Sequence, residues 1–324
     1  RGGPARGGSL LEVRGAGGHA AGTRGAVWCR FGAADAVSAT HAGTELAARC
    51  VAPPAADALL GPAAAAGAGA GRGASGVVPV RVLCDGAVQG GGAAFAYRPA
   101  SVVHAVQPEA GVRGGGTLVT VRGTGFFADA AAARCRFGEA AVPARRVARG
   151  VLECVAPRAG APGYAAVEVS MNARDYTADG VQFEYRPPAH VRALAPSAGP
   201  AEGGALVGVT GSGFSHRAAL LGALACRFNR SAAAAAWRGA SALHCVAPAH
   251  GAGVVGVEVT QNGQQHTASG VQFEYRHAVA HGVHPRGGPA RGGSLLEVRG
   301  AGGHAAGTRG AVWCRFGAAD AVSA

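Results

Sequence analysis

The chain has no lysine and no isoleucine, one methionine and three asparagines among its 324 residues. All 30 basic residues are therefore arginine, set against 18 acidic ones for a formal net charge of +12. Glycine, at 56 residues, and the still more abundant alanine complete a skew that matches GC-rich codon usage. The charge is not gathered into a basic arm. The arginines are spread along the chain with no run longer than Arg145-Arg146, which reads as solvated surface, and no nucleic-acid partner is expected. No apolar run reaches the ~18 residues of a membrane-crossing helix, so no membrane segment is expected in this window. No leader pattern precedes the first repeat, and Arg1 does not look like a natural start. Aromatic residues make up only 6%, so any core must be built with few rings.

What is present is repetition. Cys-Arg-Phe occurs at Cys29–Phe31, Cys135–Phe137, Cys226–Phe228 and Cys314–Phe316, in steps of 106, 91 and 88 residues. Residues 1–39 recur unchanged at 286–324, an offset of 285 that contains three short periods. Upstream of each triplet stands an alternating, Gly-flanked run: SLLEVRGAG at 9–17, TLVTVRGTGF at 117–126, ALVGVTGSGF at 205–214 and SLLEVRGAG at 294–302. Downstream comes Cys-Val-Ala-Pro, at Cys50–Pro53, Cys154–Pro157 and Cys245–Pro248, and then GVQFEYR ending at Arg186 and Arg276. The alternation has period two, and Asn262-Gly263 between two such runs is a hairpin signal. Short strands at this spacing predict an all-β chain of antiparallel sandwiches. Ser231–Trp237, SAAAAAW, has helix propensity but sits where the other units have strand or loop.

The order of these words resembles the IPT/TIG domain. This is an immunoglobulin-like module of plexins, the hepatocyte growth factor receptor family, Rel-type transcription factors and large algal and protist surface proteins. The resemblance covers nearly the whole chain and implies tandem immunoglobulin-like β-sandwiches in a linear array. The repeats are placed at 1–98, 99–187 and 188–276, with the start of a further one at 277–324. The first lacks its opening strand and carries a low-complexity loop at 55–76. The last supplies that strand at 278–285. The chain thus reads as a window on a longer array.

Cys29–Cys50, Cys135–Cys154 and Cys226–Cys245 lie 21, 19 and 19 residues apart in the same place of each repeat. That recurrence reads as one disulfide per module and an oxidising, extracellular or cell-surface setting; buried free thiols in a cytosolic domain are the alternative. Cys84 is left over at a turn edge and Cys314 has no partner within the window, so both are expected to be unpaired or intermolecular. Asn229-Arg230-Ser231 is a sequon, and Asn229 is the expected N-glycosylation site.

Enzymatic chemistry finds little support. No carboxylate pair recurs at catalytic spacing, and the 12 histidines are scattered. Ser215, His216 and Asp129 look triad-like but fall in different repeats without a nucleophile elbow. Gly-x-Gly at 15–17, 123–125, 211–213 and 300–302 follows a strand and opens no helix, so it reads as a bend rather than a phosphate loop. No Cys/His spacing or acidic cluster suggests zinc or calcium. Neither a catalytic residue nor a cofactor or metal is expected. The leading expectation is a structural extracellular rod or filament of head-to-tail repeats, bearing glycans and partnered by further copies of itself. A receptor or adhesion stalk is the second expectation, and a nuclear DNA-binding module of the Rel kind the third.

Overall fold

A computed structural model describes residues 2–14, 26–41, 47–60, 75–84, 87–88, 93–127, 132–277, 279–301, 313–314 and 322–323. The chain divides into two units, Arg1–Ala110 with Leu118–Tyr185, and Gly111–Thr117 with Arg186–Ala324. Strands dominate both, as the period-two alternation predicts.

In the first unit one hydrogen-bonded path runs through Gln182–Arg186, Gly163–Ser170, Arg134–Phe137, Ala140–Ala148, Val151–Val155, Leu118–Thr124 and Val102–Gln107. The strand Ala140–Ala148 is shared. Its first half pairs with Arg134–Phe137 and its second half with Val151–Val155. One ribbon therefore serves two layers, and the apolar alternate residues of both layers meet inside. Val119 and Val121 are fully buried, whereas their neighbour Leu118 is 42% exposed. The second unit repeats the path with Gln272–Arg276, Gly253–Thr260, Ala225–Phe228, Ser231–Gly239, Ala242–Val246, Leu206–Ser212 and His190–Ala195. The first unit holds an earlier version, from Gly2–Pro4 through Ala93–Arg98, Gly76–Cys84, Val27–Phe31, Val37–His41 and Ala47–Val51 to Leu10–Arg14. Among the described residues no strand flanks the outer edge of Leu10–Arg14. Further along the chain, Val279–His284 does pair with Glu297–Ala301.

The few rings are concentrated where the layers close. Phe137, Phe183 and Tyr185 stack edge to face, with centroids 5.5 and 5.1 Å apart. Phe228, Phe273 and Tyr275 do the same at 5.5 and 5.0 Å, and Phe31, Phe95 and Tyr97 at 5.8 and 4.8 Å. Each triad joins the Phe of Cys-Arg-Phe to the Phe and Tyr of the closing strand. The cores around them are otherwise mostly valine, alanine, leucine and cystine, with Phe126, Met171 and Phe214 added.

Local propensity is overruled in one place and expressed in two others. Ser231–Trp237 is strand, because hydrogen bonds claim it from both sides and the two-residue turn Asn229-Arg230 starts a hairpin. Asn229 takes φ 54°, the left-handed conformation that Gly138 holds at φ 61° in the preceding repeat, and asparagine tolerates it better than other non-glycine residues. Ala55–Leu60, expected as the start of the 55–76 loop, is instead a short helix. Alanine and leucine favour it, and Ala55 and Ala58 are buried against the core, with the Ala58 carbonyl accepting from the Ala33 N–H at 2.9 Å. Residues 61–74 of that loop lie outside the described residues. His216–Leu220 is a second short helix, capped by the Ser215 hydroxyl, which accepts from the Ala218 N–H.

The Gly-x-Gly words mark a close approach. A Cβ at Gly211 would stand 2.0 Å from the His190 carbonyl oxygen and 2.7 Å from the Phe214 ring; at Gly123 it would stand 2.1 Å from the Val102 oxygen. Gly211→Ala is expected to cost about 2 kcal/mol, as overpacking does. Gly256→Ala, whose Cβ meets nothing within 4 Å, should be neutral or slightly stabilising when both variants are unfolded by urea titration.

Candidate functional site

Two turns are built alike. In the first unit the Asn172 side-chain oxygen accepts from the Arg174 and Asp175 N–H groups at 3.0 and 2.9 Å. In the second, Asn262 accepts from Gln264 and Gln265, both at 3.1 Å. Each asparagine folds its turn by imitating a backbone carbonyl. The turn then offers an acceptor at its fourth position. The Asp175 carboxylate takes the hydroxyl of Ser9. The Gln265 side-chain oxygen takes the hydroxyl of Thr117 at 2.9 Å, both residues lying in the second unit.

Ser9 and Thr117 occupy one place in the repeat, directly before SLLEV's and TLVTV's apolar alternation. They are 2% and 0% exposed. A hydroxyl buried without a partner is costly, and in both cases the turn supplies that partner from residues 166 and 148 positions away. The first unit adds two bonds, Asn172 Nδ2 to the Gly2 carbonyl at 3.0 Å and Arg174 Nη1 to the Leu10 carbonyl at 3.2 Å.

Beside this latch in the first unit lies a cleft of about 540 Å³. Its walls carry Arg6, Arg98, Arg134, Phe127, Tyr176 and Asn172. The Arg98 guanidinium lies 4.6 Å from the centre of the Phe127 ring. The Tyr176 ring carries the Arg136 guanidinium at 4.3 Å, and Arg136 is paired with Glu168.

The cysteines expected in pairs are bonded as Cys29–Cys50, Cys135–Cys154 and Cys226–Cys245, with Cα atoms 6.2, 6.3 and 6.3 Å apart, all buried. In the second and third cases the bonded residues stand on the two strands that flank the shared one, so the bond spans the layers. Cys84 and Cys314 carry no disulfide and are partly buried. Cys84 ends the strand Gly76–Cys84 and packs against the edge of its core. Asn229 is exposed on its hairpin turn, its amide nitrogen 3.4 Å from His250 Nε2. Ser215 is a helix cap, His216 lies against Trp237 with centroids 4.5 Å apart, and Asp129 falls outside the described residues. Burial pushes the Tyr185 and Tyr275 hydroxyls up to about 12. Neither has a hydrogen-bond partner among the described residues, whereas the Tyr97 hydroxyl donates to the Pro53 carbonyl at 2.8 Å.

The family model of the IPT/TIG domain matches residues 101–185 and 189–275. The chain belongs to the IPT/TIG family. No curated protein matches it. Among solved structures, the full extracellular region of plexin A4 is 16% identical, with 76% of this chain and 20% of that chain covered and a TM-score of 0.38. The Escherichia coli adhesin FdeC is 13% identical over 78% of this chain and 85% of its own, at 0.24. Invasin, a bacterial integrin-binding protein, is 11% identical over 86% and 63%, at 0.22. This chain therefore spans about a fifth of the plexin A4 chain it matches.

Within this IPT/TIG chain the latch and cleft residues were not singled out by the sequence reading. A signal existed: Ser9 aligns with Thr117, and Asp175 with Gln265, so a donor and an acceptor recur at fixed places in the repeat. Removing the turn's organiser with Asn172→Ala is expected to lower stability by about 1–3 kcal/mol, since it strands the bonds it makes. It should also speed hydrogen exchange at the Asp175 amide. A second test concerns His266, next to the Gln265 acceptor. Burial and the nearby Arg227 guanidinium hold its imidazole below the ordinary range, partly opposed by the Gln264 backbone and by Glu258. The unfolded chain then takes up the proton first, so stability is full above the ordinary histidine pKa and falls as pH drops through and below it. Thermal midpoints of the second unit should fall between pH 7.5 and 5.5, and His266→Gln should flatten that slope.

Proposed function

We propose that this chain is an extracellular spacer: a run of IPT/TIG sandwiches at the cell surface that sets the distance between what lies at its two ends, as the stalk of an adhesion or receptor protein does. The observation that carries this reading is the recurring latch, a turn of one design meeting a buried hydroxyl of one position in each of the two units. Features that repeat with the module serve the assembly of modules rather than a single catalytic centre. Disulfides within every described sandwich support an oxidising setting, and no described helix is long and apolar enough to cross a membrane.

The finer reading is that modules at 1–98, 99–187, 188–276 and 277–324 continue head to tail into a rod or filament, with copies of the same repeat as partners. Repetition of one heterologous interface builds open arrays rather than closed rings. On this reading Asn229 bears an N-glycan, since it is exposed on its hairpin turn, and Cys84 and Cys314 are the thiols left for contacts between copies. Electron microscopy of undenatured native material tests the reading. Each sandwich should add roughly 35–40 Å along the axis, from strand length plus loops, so elongated particles with that period are expected. Compact particles with no axial period overturn it. Peptide N-glycosidase treatment should convert Asn229 to aspartate in the peptide map, and an unmodified Asn229 in secreted protein removes the glycan from the reading.

A further inference from the structure

The turn at Asn262 carries a chemistry that its twin at Asn172 lacks. Gly263 follows Asn262, whereas Ala173 follows Asn172. The backbone nitrogen after an asparagine can attack that side chain's carbonyl carbon, and glycine, with no Cβ, leaves the nitrogen least crowded. In the closed turn the reacting groups are held in other bonds. The Asn262 side-chain oxygen accepts from the Gln264 and Gln265 N–H groups, both at 3.1 Å, and its Nδ2 donates to Gln265 Oε1 at 2.5 Å. The Gly263 N–H donates to the Thr260 hydroxyl oxygen at 2.9 Å. Attack requires the carboxamide to swing off its bonds and the Gly263 nitrogen to give up its proton, so the turn must open first. Gln265 Oε1 also takes the Thr117 hydroxyl, so the turn opens against the latch. We propose that Asn262 is a deamidation site gated by the latch: it reacts when the turn opens, and its product keeps the turn from closing again.

The reaction needs only water as a second reactant. The Gly263 nitrogen forms a bond to Asn262 Cγ, the Cγ–Nδ2 bond breaks, and the nitrogen's proton leaves with the amide as ammonia. A five-membered imide results, and water opens it. Addition at Cγ leaves aspartate. Addition at the backbone carbonyl carbon leaves isoaspartate, in which the main chain runs through the former side chain. Neither product has the Nδ2 donor, so Gln265 Oε1 loses a bond that positions it for Thr117. In isoaspartate the main chain is also one carbon longer, which removes the acceptor from its place over the Gln264 and Gln265 amides. The Thr117 hydroxyl, 0% exposed, then faces burial without a partner. Each opening of the turn is thus a chance to convert a reversible bond into a permanent release.

The test is peptide mapping of the full chain aged in mildly alkaline buffer, with isoaspartate labelled by its methyltransferase. Asn262 is expected to convert about tenfold or more slowly in the folded chain than in the same chain in urea, since local opening limits the reaction. Gln265→Ala and the milder Thr117→Val, which loosen the latch from its two sides, should each raise the folded rate severalfold. Gly263→Ala should cut conversion about tenfold or more even in urea, where the added Cβ crowds the nitrogen. That variant keeps the turn, because Ala173 already holds φ 60° at the same place and a Cβ at Gly263 meets nothing within 4 Å. Thermal midpoints establish which variants are folded. Aged chain bearing isoaspartate should exchange its Gln265 amide faster than fresh chain. Equal rates in folded and urea-treated chain overturn the gate, as does a folded latch variant that converts no faster than the parent. Undiminished conversion in Gly263→Ala overturns the chemistry, and unchanged Gln265 exchange overturns the one-way release. None of these outcomes bears on the axial period expected of a spacer.

Discussion

A single bent strand holds each sandwich together. Ala140–Ala148 gives its first residues to one layer and its last to the other, so the layers are one ribbon folded on itself. A ribbon folded in this way needs something to keep its halves shut. The Cys135–Cys154 bond, which joins the two strands that flank the shared one, and the Phe137–Phe183–Tyr185 triad do that. By chain entropy, closing a 19-residue separation contributes roughly 3 kcal/mol. Edge-to-face ring pairs add about 0.5–1.5 kcal/mol each beyond their burial. For a chain whose core is otherwise mostly valine and alanine, these are large fractions of a typical net stability of about 5–15 kcal/mol. This explains how so low an aromatic content suffices: six of the ten phenylalanines stand in the three triads.

The latch has a different logic. It contributes few bonds, and they are polar, but each satisfies a hydroxyl that burial would otherwise leave stranded. Ser9 and Thr117 thereby make the position of a distant turn a condition of their own solvation. A polar contact of this kind specifies geometry more than it stabilises. The cleft next to it is walled in part by Arg6, Phe127, Arg134 and Tyr176, which the following repeat replaces with Gly114, Ser215, Ala225 and His266, while Arg98 recurs as Arg186. Conserving the turn while changing the wall is how one module can carry different surfaces along one chain.

Much of the fold was legible because it is written with short-range regularities. Val119 and Val121 alternate with polar or exposed neighbours, Asn-Gly and Gly-x-Gly punctuate the runs, and all of it returns in register. The family followed from the order of those words. SAAAAAW has helix propensity, but its place in the repeat pointed to strand or loop, and its chain neighbours Ala225–Phe228 and Ala242–Val246 make it strand. Ala55–Leu60 reads as loop until its buried alanines are seen against the core, with Ala58 on Ala33. That contact is distant in sequence, and the latch was hidden for the same reason: Ser9 and Asp175 are ordinary residues in isolation, and only their alignment with Thr117 and Gln265 marks them as a pair. The cleft was harder still, since Arg98 is one of 30 arginines and gains meaning only from the ring beneath it.

The placement of the cystine also limits how far the chain can lengthen under load. Pulled from its two ends, a sandwich can surrender strands outside the bonded segment, but not the span from Cys135 to Cys154, a separation of 19 residues. At ~3.4 Å per extended residue, roughly 65 Å of chain stays locked in each such sandwich whatever the force. Tension therefore meets a hard stop set by covalent chemistry, and a reductant, rather than a stronger pull, is what would release the locked length.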